Sequence, residues 1–162
     1  MTPAEDSARA LLRHTVATAA YRGGKALRGA PASFAAFAAG PTTRTAAQIL
    51  AHMSDLFDWA LSLARGAETW HDSMPLEWDR EVERFFAALA AFDAFLVSDQ
   101  PLGASPERLF QGPIADALTH VGQLTMLRRL AGVPVRGENY SVAEIVAGRV
   151  GNAQKPPKRE FD

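Results

Sequence analysis

The sequence predicts an all-α protein, a four-helix bundle followed by a short fifth helix. Apolar residues recur three and four positions apart through four long segments, which is the period of a helix with one buried face. No segment shows the strict alternation of apolar and polar residues that is typical of a half-buried strand. Hydrophobic residues make up 48% of the 162 positions and charged residues 22%, a composition typical of a folded domain with a core. Helices of this kind, joined by loops, pack most simply as a bundle.

The first helix is predicted over residues 3–28, where Gly23 and Gly24 weaken its end because glycine is a poor helix former. A loop over residues 29–43 follows, punctuated by proline and glycine. This loop contains the apolar segment PASFAAFAA, which is an unusual segment to leave in water. We therefore expect it to pack on the bundle or on a second copy of the chain, and we expect a homodimer.

The second and third helices have clear start signals. Thr45 can cap a helix over residues 46–66, with Gln48 completing a capping box and Gly66 ending the helix. The third helix is predicted from about Leu76 onward, with acidic residues in its first turn as the helix dipole prefers.

The fourth helix is predicted to begin with Pro113 in its first turn, because proline suits a position where the backbone N–H has no partner. The segment before it, from residue 99, is expected to be a loop with one short turn. Gly132, followed by a proline, is expected to end this helix.

The C-terminal part of the chain carries one further helix signal. Ser141 and Glu144 have capping-box spacing, which predicts a short fifth helix over residues 141–148. We expect one bundle domain over residues 1–150. The polar, proline-containing residues 151–162 are expected to form an extended tail.

Charge and composition exclude several classes of function. A formal net charge of −1 gives no basic surface for nucleic acid. The absence of cysteine excludes disulfides, thiolate zinc sites and a cysteine nucleophile. No apolar run approaches the roughly 18 residues that a membrane span needs, and the acidic N-terminal segment does not resemble a signal peptide. We therefore expect a cytoplasmic protein without a nucleic-acid or membrane partner.

Three polar residues lie on or beside predicted buried helix faces. His52 falls in the middle of the apolar face of the second helix, and His120 falls within the apolar arc of the fourth. Asp116 lies one turn before His120, at the edge of that arc. One inward histidine usually finds a hydrogen-bond partner in the core, but two with a carboxylate leave packing and metal binding as equal alternatives. Two imidazoles and one carboxylate would leave coordination positions open on a metal. His71 is expected at the surface, and His14 is expected to be solvated or to pack between helices.

The segments DALTHVGQLTMLRRLAG (residues 116–132) and ILAHMSDLFDWAL (residues 49–61) resemble the DinB/YfiT-like family of metal-dependent enzymes. In that family the fourth helix carries the pattern His-x-x-x-His-x-Gly-Gln, and a third histidine comes from a Leu-x-His segment on the second helix. This chain has His120-Val121-Gly122-Gln123 at the end of the first pattern and His52 in the second. The resemblance covers residues 8–150, including a similar C-terminal extension.

One position departs from the family pattern: Asp116 stands where the first histidine of the fourth helix is usual. The resemblance implies a divalent transition metal (Zn, Ni, Fe or Mn) held by His52, Asp116 and His120. The harder carboxylate oxygen shifts the preference from zinc towards nickel, iron or manganese. The alternative is a relative that has lost its metal. Asp55, one turn beyond His52, is a further candidate ligand.

The resemblance implies a metal-dependent enzyme that acts on a small molecule. Members of the family include transferases that use low-molecular-weight thiols, and also hydrolases and isomerases. Because this chain has no cysteine, any thiol would have to be a bound cosubstrate. The alternative is a non-catalytic metal- or ligand-binding bundle of the stress response, in which the polar core residues only fix the packing.

Overall fold

α-Helix dominates residues 3–162, the part of the chain that the computed structural model describes, with side chains from residue 5. The first three helices are α1 (Pro3–Leu27), α2 (Ala46–Ala64) and α3 (Trp78–Val97). The fourth, α4, covers residues 106–130 in three consecutive parts: Pro106–Leu109, a π-helical turn Phe110–Ile114, and Ala115–Leu130. The all-α prediction is confirmed. No described helix combines the length and the apolar character that a membrane crossing requires.

The start of α2 follows the predicted capping box. The Gln48 backbone N–H donates to Thr45 Oγ1 at 3.2 Å, and the Thr45 N–H donates to Gln48 Oε1 at 2.9 Å. Two otherwise unpaired donors of the first turn are therefore satisfied by side chains. The helix ends at Ala64, and Gly66 follows with a φ of +71°.

Gly23 and Gly24 do not end α1 but let it approach α3 closely. A Cβ atom at Gly23 would lie 3.0 Å from the Phe85 ring, and one at Gly24 would lie 3.4 Å from the Phe86 ring. The helix continues to Leu27, so burial of these aromatic rings offsets the weak helix propensity of glycine.

The apolar first loop packs on the chain's own core. It forms a 3₁₀ helix, Ala32–Ala36, and Phe34 in that helix is buried. The Phe34 ring meets Trp78 of α3 edge-on, with a centroid distance of 5.6 Å. The expectation that this segment packs on the helices is confirmed, and the segment therefore gives no argument for a second copy.

The predicted start of α4 is wrong. The helix begins at Pro106, where the Ser105 hydroxyl accepts a hydrogen bond from the Arg108 backbone N–H at 3.3 Å. Pro113 lies inside the helix and lacks an N–H to donate. The π-helical turn Phe110–Ile114 accommodates this proline, and it stands directly before the segment that carries Asp116.

The predicted fifth helix is also wrong. Residues 141–148 contain only the end of a single 3₁₀ turn, Tyr140–Val142. Ser141 donates its backbone N–H and its hydroxyl to Asn139 Oδ1, at 3.1 and 2.6 Å, so it does not cap a helix. The Glu144 carboxylate lies 3.5 Å from Arg149 Nη2 instead of turning back to the backbone.

The end of the tail is tied to the helices by a small sheet. Strand β1 (Gly137–Glu138) pairs antiparallel with β2 (Glu160–Phe161), and Glu138 lies opposite Glu160. Lys25 of α1 binds both carboxylates, at 2.8 Å from Glu138 and 2.7 Å from Glu160. A buried lysine thus bridges two acids and reduces their repulsion across the strands.

Candidate metal centre

The structure brings His52, Asp116 and His120 together where α2 contacts α4. One possible ligand atom from each residue lies within 4.8 Å of the others. His52 Nε2 is 3.5 Å from Asp116 Oδ2, and His120 Nδ1 is 3.4 Å from Asp116 Oδ1. The two imidazole ring centroids are 4.8 Å apart. Two histidines from different helices therefore flank one carboxylate.

Two tryptophan side chains, Trp70 and Trp59, line one side of this group. The Trp70 ring meets the His52 ring at a centroid distance of 5.6 Å, and it meets Trp59 at 5.8 Å. Gly112, in the π-helical turn, lets the Trp59 ring approach α4, because a Cβ atom there would lie 3.4 Å from the indole. The histidines are thus partly screened from water on this side.

Burial keeps the His120 imidazole neutral. Its side chain is only 10% exposed, whereas that of Asp116 is 43% exposed. Burial holds the pKa of His120 below its ordinary value; nearby Asp116 opposes this effect, and His52 and Arg44 add to it. A neutral imidazole is the protonation state that a metal requires of its ligand.

The hydrogen bonds of His120 define its tautomer. Nδ1 lies 3.1 Å from the backbone carbonyl oxygen of Asp116, so the proton on Nδ1 donates to that oxygen. The lone pair of Nε2 is then free to accept. Arg44 Nη1 lies 3.5 Å from this nitrogen. Arg44 is exposed and has no carboxylate partner among the described residues.

His52 lacks a protein partner that satisfies its ring. Its Nδ1 is buried and has no hydrogen-bond partner in the described part of the chain. Its Nε2 lies 3.5 Å from Asp116, which exceeds a normal N–H···O distance. With the proton on Nδ1, the Nε2 lone pair would face a carboxylate, which is a repulsive contact. A cation between the two groups would remove this repulsion.

The donor set fits a divalent transition metal. Imidazole nitrogen and carboxylate oxygen bind zinc at about 2.0–2.2 Å, so two ligand atoms on a tetrahedral ion lie about 3.4 Å apart. The 3.5 Å between His52 Nε2 and Asp116 Oδ2 is close to that separation. This spacing fits His52 and Asp116 as ligands of one ion, and the neutral imidazole of His120, with its Nε2 lone pair free, is a third donor of suitable chemistry.

The further candidate ligand Asp55 belongs to a different cluster. Its carboxylate accepts the backbone N–H and the hydroxyl of Ser73, both at 2.8 Å, and it accepts from Arg84. His71 Nε2 lies 3.1 Å from Asp55 and 3.2 Å from Asp58, and the His71 side chain is 47% exposed, as expected of a surface residue. Arg84 contacts both acids and offsets part of their charge, so we interpret this cluster as an ion-pair network.

The network holds in place the loop that carries Trp70. Ser73 is held by Asp55 of α2, and the Leu76 backbone N–H donates to Glu81 of α3 at 3.0 Å. The same loop places Trp70 against His52. The buried Asp55 thus positions one side of the candidate metal centre without contacting it.

Stability should fall in acid because of Asp55. Burial alone would raise the pKa of Asp55. Hydrogen bonds from Ser73 and Arg84 outweigh this effect and hold the pKa of Asp55 below its ordinary value. A depressed pKa in the folded state stabilises the protein above the unfolded pKa of about 3.9, and that contribution is lost as the pH falls through the lower folded value. We expect urea denaturation between pH 6 and 2.5 to show a steeper loss below about pH 4 in the wild type than in Asp55→Asn. Equal slopes for the two proteins would contradict this role of Asp55.

Comparison with known proteins adds no family: no family model, no curated protein and no solved structure matches this chain. The site therefore has to be interpreted from its own residues. Sequence reasoning did not find Arg44 beside the candidate ligands, and it interpreted Trp70 only as a residue of the core or of a pocket wall. Arg44 stands next to the Thr45 cap, which was its only sequence signal, and Trp70 lies in a loop whose path depends on Asp55.

Proposed function

We propose that this chain is a DinB-like four-helix bundle that holds one divalent transition metal through His52, Asp116 and His120. We further propose that it is a metal-dependent enzyme acting on a small molecule, by transfer of a low-molecular-weight thiol or by hydrolysis. The observation that carries the proposal is the approach of His52 Nε2 to Asp116 Oδ2 at 3.5 Å, which is longer than a hydrogen bond and close to the separation of two ligand atoms on one ion.

Each residue has a distinct role in this proposal. His52 and His120 would hold the metal as neutral ligands, and Asp116 would offset part of its charge. When bound, the metal would supply a Lewis acid that lowers the pKa of a bound water or thiol. Asp116 is the most exposed of the three, so substrate is expected to enter on its side. Arg44, an exposed cation beside His120, is placed to bind an anionic part of that substrate.

A relative that has lost its metal is the second candidate, and one contact favours it. Arg44 Nη1 lies 3.5 Å from His120 Nε2, the nitrogen that a metal would use. In this interpretation the guanidinium replaces the ion as the partner of the imidazole, and the chain is a non-catalytic binding bundle. The two candidates differ in whether added metal displaces Arg44 from this nitrogen.

Tryptophan fluorescence offers a direct test, because Trp70 lies 5.6 Å from His52. We expect Ni²⁺ or Co²⁺, added to chelator-treated protein, to quench the emission and to saturate at one ion per chain. Trp70→Phe should remove most of the quenching and keep the binding stoichiometry. An emission that no added metal changes, in a protein whose melting temperature also stays constant, would favour the metal-free bundle.

Turnover separates an enzyme from a metal-binding protein. The metal-loaded chain should accelerate transfer of a small thiol to an electrophile, or hydrolysis of a small ester or amide, and His120→Ala should not. A protein that binds metal fully but shows neither activity would support the non-catalytic alternative.

A further inference from the structure

A cavity of about 310 Å³ lies between α1, α4 and the small C-terminal sheet. We call it the basic cleft; its lining includes the cations Arg22, Lys25, Arg129 and Arg136, the acidic Glu138, and Gly122 and Tyr140. It contains none of the candidate metal ligands. No role in the proposed metal chemistry is assigned to it.

Two of the four cations in the basic cleft have no acidic partner. Lys25 binds Glu138 and Glu160, and Arg136 lies 3.7 Å from Glu160 and 3.2 Å from Asp162. For Arg22 and Arg129, in contrast, no carboxylate lies within salt-bridge distance among the described residues. Arg22 and Arg129 are therefore the two cations of the cleft that remain available for an anionic ligand.

Arg22 also has a buried hydrogen-bond donor without a partner in the described structure. Its Nε atom is buried and finds no acceptor in the described part of the chain. Its guanidinium lies over the Tyr140 ring, 4.4 Å from the centroid. The ring holds the planar guanidinium in place, and a guanidinium edge matches a carboxylate or phosphate.

Gly122 leaves the cleft open from the α4 side. It lies in the interior of a helix, where glycine is less favourable than alanine. Nothing stands within 4 Å of the position that a Cβ atom would take, so no neighbour in the described structure requires a glycine here. A side chain at this position would project into the cleft instead.

We propose that the basic cleft binds a small organic oxyanion, a carboxylate or a phosphate carried on a compact apolar or aromatic group. Arg22 and Arg129 would bind the oxyanion. Tyr140 and Phe161 would contact the apolar group, since both rings line the cavity. The volume of about 310 Å³ suits a molecule of this size.

Calorimetric titration of the metal-free chain with phenyl phosphate and with benzoate tests the proposal. We expect saturable binding at one site, retained in His52→Ala/His120→Ala, and no binding of neutral phenol or benzamide. Arg22→Gln and Arg129→Gln should each weaken binding about tenfold or more, because each removes a charged hydrogen-bond donor. Arg80→Gln, at an exposed arginine on α3, is the matched control and should bind as the wild type does. The anion with the higher affinity shows whether the cleft prefers a phosphate or a carboxylate.

Gly122→Leu separates loss of the cleft from loss of the fold. Leucine is a better helix former than glycine, so this variant should melt at the same or a higher temperature and yet lose anion binding. Absence of saturable binding of either anion to the wild type would overturn the proposal. Anion affinities equal to that of the wild type in Gly122→Leu and in both arginine variants would also overturn it. Loss of anion binding in His52→Ala/His120→Ala would do the same.

Discussion

Asp116→Ala is expected to lower the affinity for a divalent metal by at least about 100-fold, because it removes one of three direct ligands. The helical fold should remain, since the Asp116 side chain is 43% exposed and lies at the edge of the buried face. Competition against a chromophoric chelator measures the affinity, and circular dichroism monitors the helices.

Asp116→His is the matched variant, because it gives the three-histidine set of the family proposed for this chain. It should keep a metal site and move its preference towards zinc, since an imidazole replaces a hard oxygen. An Asp116→Ala protein that melts at a lower temperature but keeps its full metal affinity would show that Asp116 is only an ion-pair partner of the histidines.

Arg84→Met should reduce the free energy of unfolding by about 3–5 kcal/mol, because it leaves a buried carboxylate without its cation. The Asp55 side chain is 0% exposed, and Arg84 binds it from α3 while also lying 3.3 Å from Asp58. Methionine keeps much of the arginine stem, so the loss reports on charge more than on packing. Urea denaturation at pH 7 measures the change.

Arg80→Met on the same helix is the control for this substitution. Arg80 is 75% exposed and pairs with an exposed Glu83 at 3.5 Å, so its removal should cost less than about 1 kcal/mol. Equal and small losses in both variants would contradict a stabilising role for the network around Asp55.

The helices were predictable from the sequence where local signals agree with each other. The capping box of Thr45 and Gln48 fixed the start of α2, and apolar spacing identified the buried faces. The start of α4 was missed because Pro113 resembles a first-turn proline, whereas Ser105 and Pro106 supply the actual cap. Tertiary packing of the helix tolerates the internal proline through a π-helical turn, which no local propensity indicates.

The predicted fifth helix failed for a different reason. An eight-residue helix is marginal in water even with a good cap. Here Asn139 takes both donors of Ser141, and Glu144 pairs with Arg149. These contacts depend on how the segment after residue 137 crosses the helices.

Helical spacing was also enough to predict that His52 and His120 lie on buried helix faces, with Asp116 beside one of them. In the structure these three side chains lie close together. Their neighbours were not predictable in the same way. Arg44 and Trp70 reach the site from segments outside the helices, and the path of the Trp70 loop depends on its attachment to Asp55. A sequence pattern reports such long-range contacts only weakly.

Metal content of the untagged protein tests the central claim most directly. Purified without a histidine tag and measured by mass spectrometry, the wild type should carry about one divalent transition metal per chain, and His52→Ala/His120→Ala should carry none. Equal and negligible metal in the two proteins, even after incubation with nickel, iron, manganese or zinc, would contradict a metal centre at these residues.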